Sequence, residues 1–116
     1  MSHMTDGTYT VQFNSAHDWG AGVIMLKDLK LTGGDSGYIF TGAFREVGSR
    51  VVGRVHVEQH LKGHPSIFGP SVGKAFDLHL EGQFDSDVGR FHGHVHGQNH
   101  SKIQIQLTRA EHLAAE

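Results

Sequence analysis

Apolar and polar residues alternate in short segments along almost the whole chain, and this alternation is the feature that most constrains the fold. In the first segment Tyr9, Val11 and Phe13 alternate with polar residues, and residues 102–108 near the end follow the same pattern. A period of two is that of a β-strand, whose successive side chains point to opposite faces. About eight such segments are separated by turn-forming residues, and none has a sustained helical period. The pattern therefore predicts an all-β fold.

The number and spacing of these segments favour a barrel over a sandwich. Eight strands are enough to close a sheet, and an up-and-down order needs only short hairpin connections. Glycines within the predicted strands, at Gly42, Gly53 and Gly93, are typical of bends in a small barrel. We therefore predict an eight-stranded antiparallel up-and-down barrel with at most one short helix, for which Pro65–Phe68 is a candidate turn.

One domain accounts for the length of 116 residues. We assign residues 5–109 to the barrel, interpret residues 1–4 as a cloning remnant or a disordered leader, and treat residues 110–116 as a C-terminal tail.

Composition excludes several classes of function. Without cysteine the chain has no disulfides, no cysteine-ligated metal and no thiolate nucleophile. Its net charge of −2 and the lack of a basic block give no general attraction to nucleic acid or anionic lipid. The longest apolar run, Gly22–Leu26, is too short to span a bilayer, and no signal-peptide pattern is present. We predict a cytoplasmic protein with no cofactor and no direct contact with nucleic acid or membrane.

The apolar positions of the alternating segments identify the side chains that would point into the barrel. An eight-stranded barrel either fills its interior with such side chains or leaves a pocket for one small ligand. The residues predicted to face the interior, and any ligand in it, are Tyr9, Val11, Phe13, Tyr38, Phe40, Phe44, Phe76, Phe91 and Ile105.

Three alternating histidines, His92, His94 and His96, form the most conspicuous polar motif. Residues two apart share one face of a strand, so neighbouring histidines of this row have the spacing for a shared zinc ion with a carboxylate from the next strand. The motif also resembles that of the histidine-triad nucleotide hydrolases, although Gly93 stands where those enzymes have a bulky apolar residue. We interpret the three histidines as the outward positions of a strand whose Phe91 and Val95 face the core.

The 11 histidines also predict a response to pH. Those at positions 56, 60 and 64, and at positions 92, 94, 96 and 100, would gain like charge near pH 6, where histidine ordinarily titrates. We expect stability or self-association to fall between about pH 7 and 5.5.

Several short motifs resemble, in order and spacing, the Grl-type negative regulators of type III secretion, which are small bacterial proteins. The resemblance spans roughly Thr5 to Leu107. It is most specific in Asp6-Gly7-x-Tyr9 and Thr32-Gly33-Gly34-Asp35, and it continues in Phe13 with Ser15, Gly20-x-Gly22-Val23, Tyr38 with Gly42, Val55-His56-Val57, Leu78 with Leu80, and Phe91-x-Gly93.

This resemblance implies a lipocalin-like barrel with an apolar interior that forms a homodimer in the bacterial cytoplasm. It further implies repression of virulence genes by sequestration of a DNA-binding transcriptional activator. In the family an acidic surface loop contacts the activator. The matching positions here are about Glu46 to Ser49, with Arg45 beside them, and only Glu46 is acidic. The predicted partner loop is Arg45, Glu46, Gly48 and Ser49.

The sequence thus predicts a non-enzymatic regulator that binds a protein activator, with an apolar ligand inside the barrel as a further expectation. Two alternatives remain open at this stage. One is a lipocalin-like carrier of a small lipid-like molecule without a regulatory partner. The other is a metal-binding or histidine-triad-like enzyme that uses His92, His94 and His96.

Overall fold

Eight antiparallel strands close into a barrel, in which each strand is hydrogen-bonded to its neighbours in the chain and the last strand pairs with the first. A computed structural model describes residues 4–16, 19–60, 75–85 and 87–110. The strands are β1 Gly7–Ser15, β2 Trp19–Lys27, β3 Lys30–Gly34, β4 Tyr38–Val47, β5 Arg50–Gln59, β6 Ala75–Asp85, β7 Val88–Val95 and β8 Gln98–Arg109. The predicted eight-stranded up-and-down barrel is confirmed.

Helix is absent from the described residues, and none of them forms a helix long and apolar enough to cross a membrane. The candidate helical turn at Pro65–Phe68 and most of the C-terminal tail lie outside the described ranges. At the other terminus Met4, which we assigned to the leader, is partly buried and packs against the core.

The apolar residues of the alternating segments point into the barrel, and the polar residues between them point to its outer surface. On β7, Phe91 and Val95 are buried while His92 between them is exposed. The same alternation around all eight strands builds one continuous apolar core, because alternate side chains of every strand enter the same enclosed space.

The turns differ in two places from what the sequence predicts. The glycine-rich composition of residues 33–37 predicts a turn there, but Gly33 and Gly34 are the last residues of β3, and the turn itself begins at Asp35. Gly33 is needed there because a side chain would collide with the backbone of β2: a Cβ would lie 2.3 Å from the carbonyl oxygen of Val23. The expected loop at Glu46–Ser49 is also shorter, since only Gly48 and Ser49 leave the strands.

The connections alternate between the two ends of the barrel. The end at which β1 begins is closed by side chains: Tyr9 and Phe84 are 0% and 1% exposed, with their ring centroids 5.6 Å apart in an edge-to-face arrangement. The hydroxyl of Tyr9 donates a hydrogen bond to the carbonyl oxygen of Thr5, which gives this buried phenol its polar partner. The opposite end carries the β1–β2 and β3–β4 connections, and β5 ends and β6 begins there.

Candidate functional site: an apolar cavity

An apolar cavity of about 280 Å³ lies inside the barrel. All eight strands contribute to its wall, together with the β3–β4 turn. Its volume lies at the lower limit of about 300 Å³ typical of small-molecule sites. The described residues that line it are Val11, Phe13, Trp19, Gly20, Ala21, Ile24, Leu31, Asp35, Ser36, Gly37, Tyr38, Phe40, Phe44, Val55, Val57, Phe76, Leu78, Leu80, Phe91, Ile103, Ile105 and Leu107.

Eight of the nine residues expected to face the interior are among these lining residues: Val11, Phe13, Tyr38, Phe40, Phe44, Phe76, Phe91 and Ile105. Tyr9 is not, because it lies at the closed end, where its ring packs on Phe84. Trp19 and Asp35, which line the cavity mouth, were not predicted. Trp19 is the first residue of β2 and Asp35 follows the last residue of β3, and the strand periodicity gives no signal that either lies at the mouth.

Glycines opposite two of the aromatic rings explain why the interior is hollow. Phe13 pairs across the strands with Gly20, and Phe44 pairs with Gly53. A Cβ added at either glycine would overlap the ring, at 2.4 Å from Cε2 of Phe13 or 2.3 Å from Cδ1 of Phe44. Each ring therefore lies along the wall over a glycine, and the centre of the barrel keeps its free volume.

The β3–β4 turn fixes a carboxylate at the mouth of the cavity. Oδ1 of Asp35 accepts hydrogen bonds from the backbone N–H groups of Gly37, at 2.9 Å, and Tyr38, at 2.8 Å. The backbone N–H of His60 donates to the carbonyl oxygen of Gly37 at 2.9 Å and ties the end of β5 to this turn. This local pattern is that of an aspartate-stabilised turn, so the carboxylate has a defined position at the rim.

Asp35 and Tyr38 are the only ionisable side chains among the described residues that line the cavity. Burial raises the pKa of the Tyr38 phenol above its usual value near 10, and the negative charge of Asp35 raises it further. The phenol is therefore neutral at physiological pH. The described wall of the cavity thus carries one negative side chain and no positive one.

The histidine row lies on the outside of the barrel. His94 pairs across the strands with His79 of β6, and His92 pairs with Glu81. Nε2 of His79 lies 2.6 Å from Nδ1 of His96. Within the described ranges no group of three histidine, aspartate or glutamate side chains is arranged to hold a metal ion, and this includes His92, His94 and His96.

On this outer face the pKa values of two histidines, His56 and His79, are shifted in opposite directions. Hydrogen bonds to Asp77, at 2.8 Å, and Glu58, at 3.3 Å, raise the pKa of His56, and the bond to His56 lowers the pKa of Asp77. Partial burial lowers the pKa of His79, and the neighbouring positive charge of Arg54 lowers it further.

The predicted partner residues lie at the closed end of the barrel. Arg45 and Glu46 belong to β4, and only Gly48 and Ser49 form a turn. Oε2 of Glu46 accepts a hydrogen bond from the backbone N–H of Met4 at 2.8 Å, so the single acidic group of this region already contacts the N-terminal segment.

An apolar surface lies on the outer face of β2. Trp19, Ala21, Val23 and Met25 all point outward, and Trp19 and Met25 are 67% and 61% exposed. Ile39 of β4 extends this surface, because Gly34, which lies between Val23 and Ile39 in the strand pairing, has no side chain to separate them.

The fold and the cavity define the chain as a small up-and-down β-barrel with an apolar interior site. A comparison with protein-family models gives no match, and no curated protein has a significantly similar sequence.

Proposed function

We propose that this protein is a non-enzymatic binding protein that holds a small apolar molecule inside its barrel. The observation that supports this most is the cavity of about 280 Å³ with a predominantly apolar wall. A protein of this size gains stability by filling its core, since each buried cavity costs contact energy. The paired glycines and aromatic rings, which keep the centre open, therefore favour a ligand-binding role over simple core packing.

The experiment is a titration with the neutral fluorescent probe N-phenyl-1-naphthylamine. We expect saturable binding with one probe per barrel. Ile105→Trp, which adds bulk at a lining position, should reduce binding at least tenfold, whereas Gln104→Trp at the adjacent outward position should not. A parent protein that binds no apolar probe, or equal binding by both variants, would contradict the proposal.

A second candidate function is regulation through protein contacts, as the resemblance to Grl-type regulators implies. In this proposal the protein is a cytoplasmic homodimer that sequesters a DNA-binding activator of type III secretion genes. The outer surface of β2 favours protein contacts, because a strand that is apolar on both faces is typical of strands covered on both sides. We assign this surface to the second copy of the chain and the Gly48–Ser49 turn to the activator.

Two measurements test the second candidate. Val23→Lys should convert a dimer to a monomer in light scattering, whereas Gln83→Lys, at an exposed position on β6 away from this surface, should not. Affinity purification from the native host should recover a DNA-binding activator, and Ser49→Lys should lose it while Gln83→Lys retains it. A monomeric parent protein, or recovery of the chain alone under mild conditions, would count against this function.

A further inference from the structure

We infer that the ligand is an amphiphile with a positively charged polar end, such as an alkylammonium, whose charge lies at the cavity mouth beside Asp35. The inference rests on the proposed function of the cavity as a binding site. The evidence for it is the negative charge of Asp35 and the ring of Tyr38 at the mouth of the cavity, together with the volume of the cavity behind them.

The charge of the described wall selects against acids. Asp35 is its only ionised side chain, and no lysine, arginine or histidine lies among the described lining residues. A fatty acid or a phosphate ester would bring a second negative charge to Asp35 with no positive partner among the described lining residues, which is costly in a partly desolvated site. A cation in the same place gains an opposite charge.

Asp35 is held where it can act on a ligand. Its Oδ1 is fixed by the two backbone N–H groups of the turn, and its Cβ lies over Gly22 of β2, 3.3 Å from where a Cβ of Gly22 would be. A side chain at Gly22 would crowd Asp35 and the turn. The absence of one lets the carboxylate sit against the wall of the barrel and keep its place at the mouth.

An aromatic group at the same end suits a cation further. Tyr38 lines the cavity beside the turn that holds Asp35, and its backbone N–H donates to the Asp35 carboxylate. An ammonium group is attracted to the face of an aromatic ring, and quaternary ammonium ligands are often bound by aromatic residues. A carboxylate with a tyrosine beside it supplies both attractions to one positive group.

The volume limits the apolar part of the ligand. At roughly 30 Å³ for each water-sized group, a cavity of about 280 Å³ has room for about nine such groups. A single unbranched chain of roughly eight to ten carbon atoms is of a size to fill this space. The ligand expected is therefore a slender single-chain ammonium compound.

The test compares three probes with the same chain and different polar ends: decyltrimethylammonium, decanol and decanoate, each used below its micelle concentration at pH 7.5. Each displaces N-phenyl-1-naphthylamine from the protein. We expect decyltrimethylammonium to bind about tenfold more tightly than decanol, and decanoate to bind most weakly.

Asp35→Asn is the decisive variant, because an asparagine oxygen can still accept the hydrogen bonds that form the turn. It should remove most of the preference for the ammonium compound and leave decanol binding unchanged. Asp85→Asn, an exposed carboxylate on β6 at the closed end, is the matched control and should change neither.

The possible outcomes separate the two proposals. Equal or tighter binding of decanol or decanoate by the parent protein would overturn this inference and leave the proposed function standing. The same holds if Asp35→Asn keeps the full preference for the ammonium compound. Failure of all three compounds and of the neutral probe to bind would overturn the proposed function itself.

Discussion

Nε2 of His79 on β6 lies 2.6 Å from Nδ1 of His96, which follows β7, on the outer surface of the barrel. The N–H of one ring donates a hydrogen bond to the unprotonated nitrogen of the other, so this contact requires at least one neutral imidazole. The ring of His94 also lies near that of His79, with centroids 5.4 Å apart, and Nη2 of Arg54 approaches Nε2 of His79 at 3.4 Å. Asp77 is the acidic group near this cluster.

Acid should weaken the fold through His79. Its pKa is lowered in the folded protein by partial burial, by Arg54 and by the two neighbouring histidines. The unfolded chain therefore binds this proton more readily, and stability falls as the pH drops through about 6.5 and below. We expect His79→Gln to reduce the loss of melting temperature between pH 7.5 and 5.5 by roughly 1–4 °C, a small effect because the site is half-exposed. An unchanged pH profile in the variant would contradict this assignment.

His56 should act in the opposite direction. Its pKa is raised by its hydrogen bonds to Asp77 and Glu58, so its contribution is fully present below about pH 6.5 and is lost as the pH rises through the raised folded value. We expect His56→Gln to lower stability at pH 6 by up to about 1 kcal/mol, measured by urea unfolding. The same measurement at pH 9 is the internal control, and an equal loss at both values would show that the ion pair contributes nothing.

Truncation at the closed end should be the most destabilising single change considered. Phe84 is almost completely buried against the edge of the Tyr9 ring. We expect Phe84→Ala to lower the free energy of unfolding by about 3–5 kcal/mol, as measured by urea denaturation. The neighbouring Gln83 is exposed, and Gln83→Ala should cost less than about 0.5 kcal/mol. Similar losses for the two variants would mean that the closed end does not support the barrel.

A methyl group at Gly53 should close part of the cavity. Its Cβ would lie 2.3 Å from Cδ1 of Phe44, so the ring must turn from the wall into the interior. We expect Gly53→Ala to weaken binding of N-phenyl-1-naphthylamine severalfold and to cost about 1–3 kcal/mol of stability.

The double variant with Phe44→Leu is the control, because the smaller side chain restores room in the cavity. Its probe binding should return toward that of the parent protein. Binding that stays weak in the double variant would show that the ring is not the obstruction.

Most residues of the cavity wall could be predicted from the sequence, whereas the residues at the cavity mouth could not. Alternation identifies Phe40 and Ile105 as inward-facing because neighbouring residues of a strand must point to opposite sides. Asp35 has no such signal, because its position depends on a turn that follows β3 and packs on Gly22 of β2. Likewise, no periodicity distinguishes Tyr9, which fills the closed end, from Phe13, which lines the cavity.

The sequence alone determined that the chain forms short strands with one apolar face and that His92, His94 and His96 lie on the polar one. These properties are local, since they follow from the period of a strand and from turn-forming residues. Only the tertiary structure decided the closure of β8 on β1, the contact of His79 with His96, and the volume left at the centre. Each of these depends on register between strands distant in sequence, and on how far opposing rings and glycines fill the enclosed space.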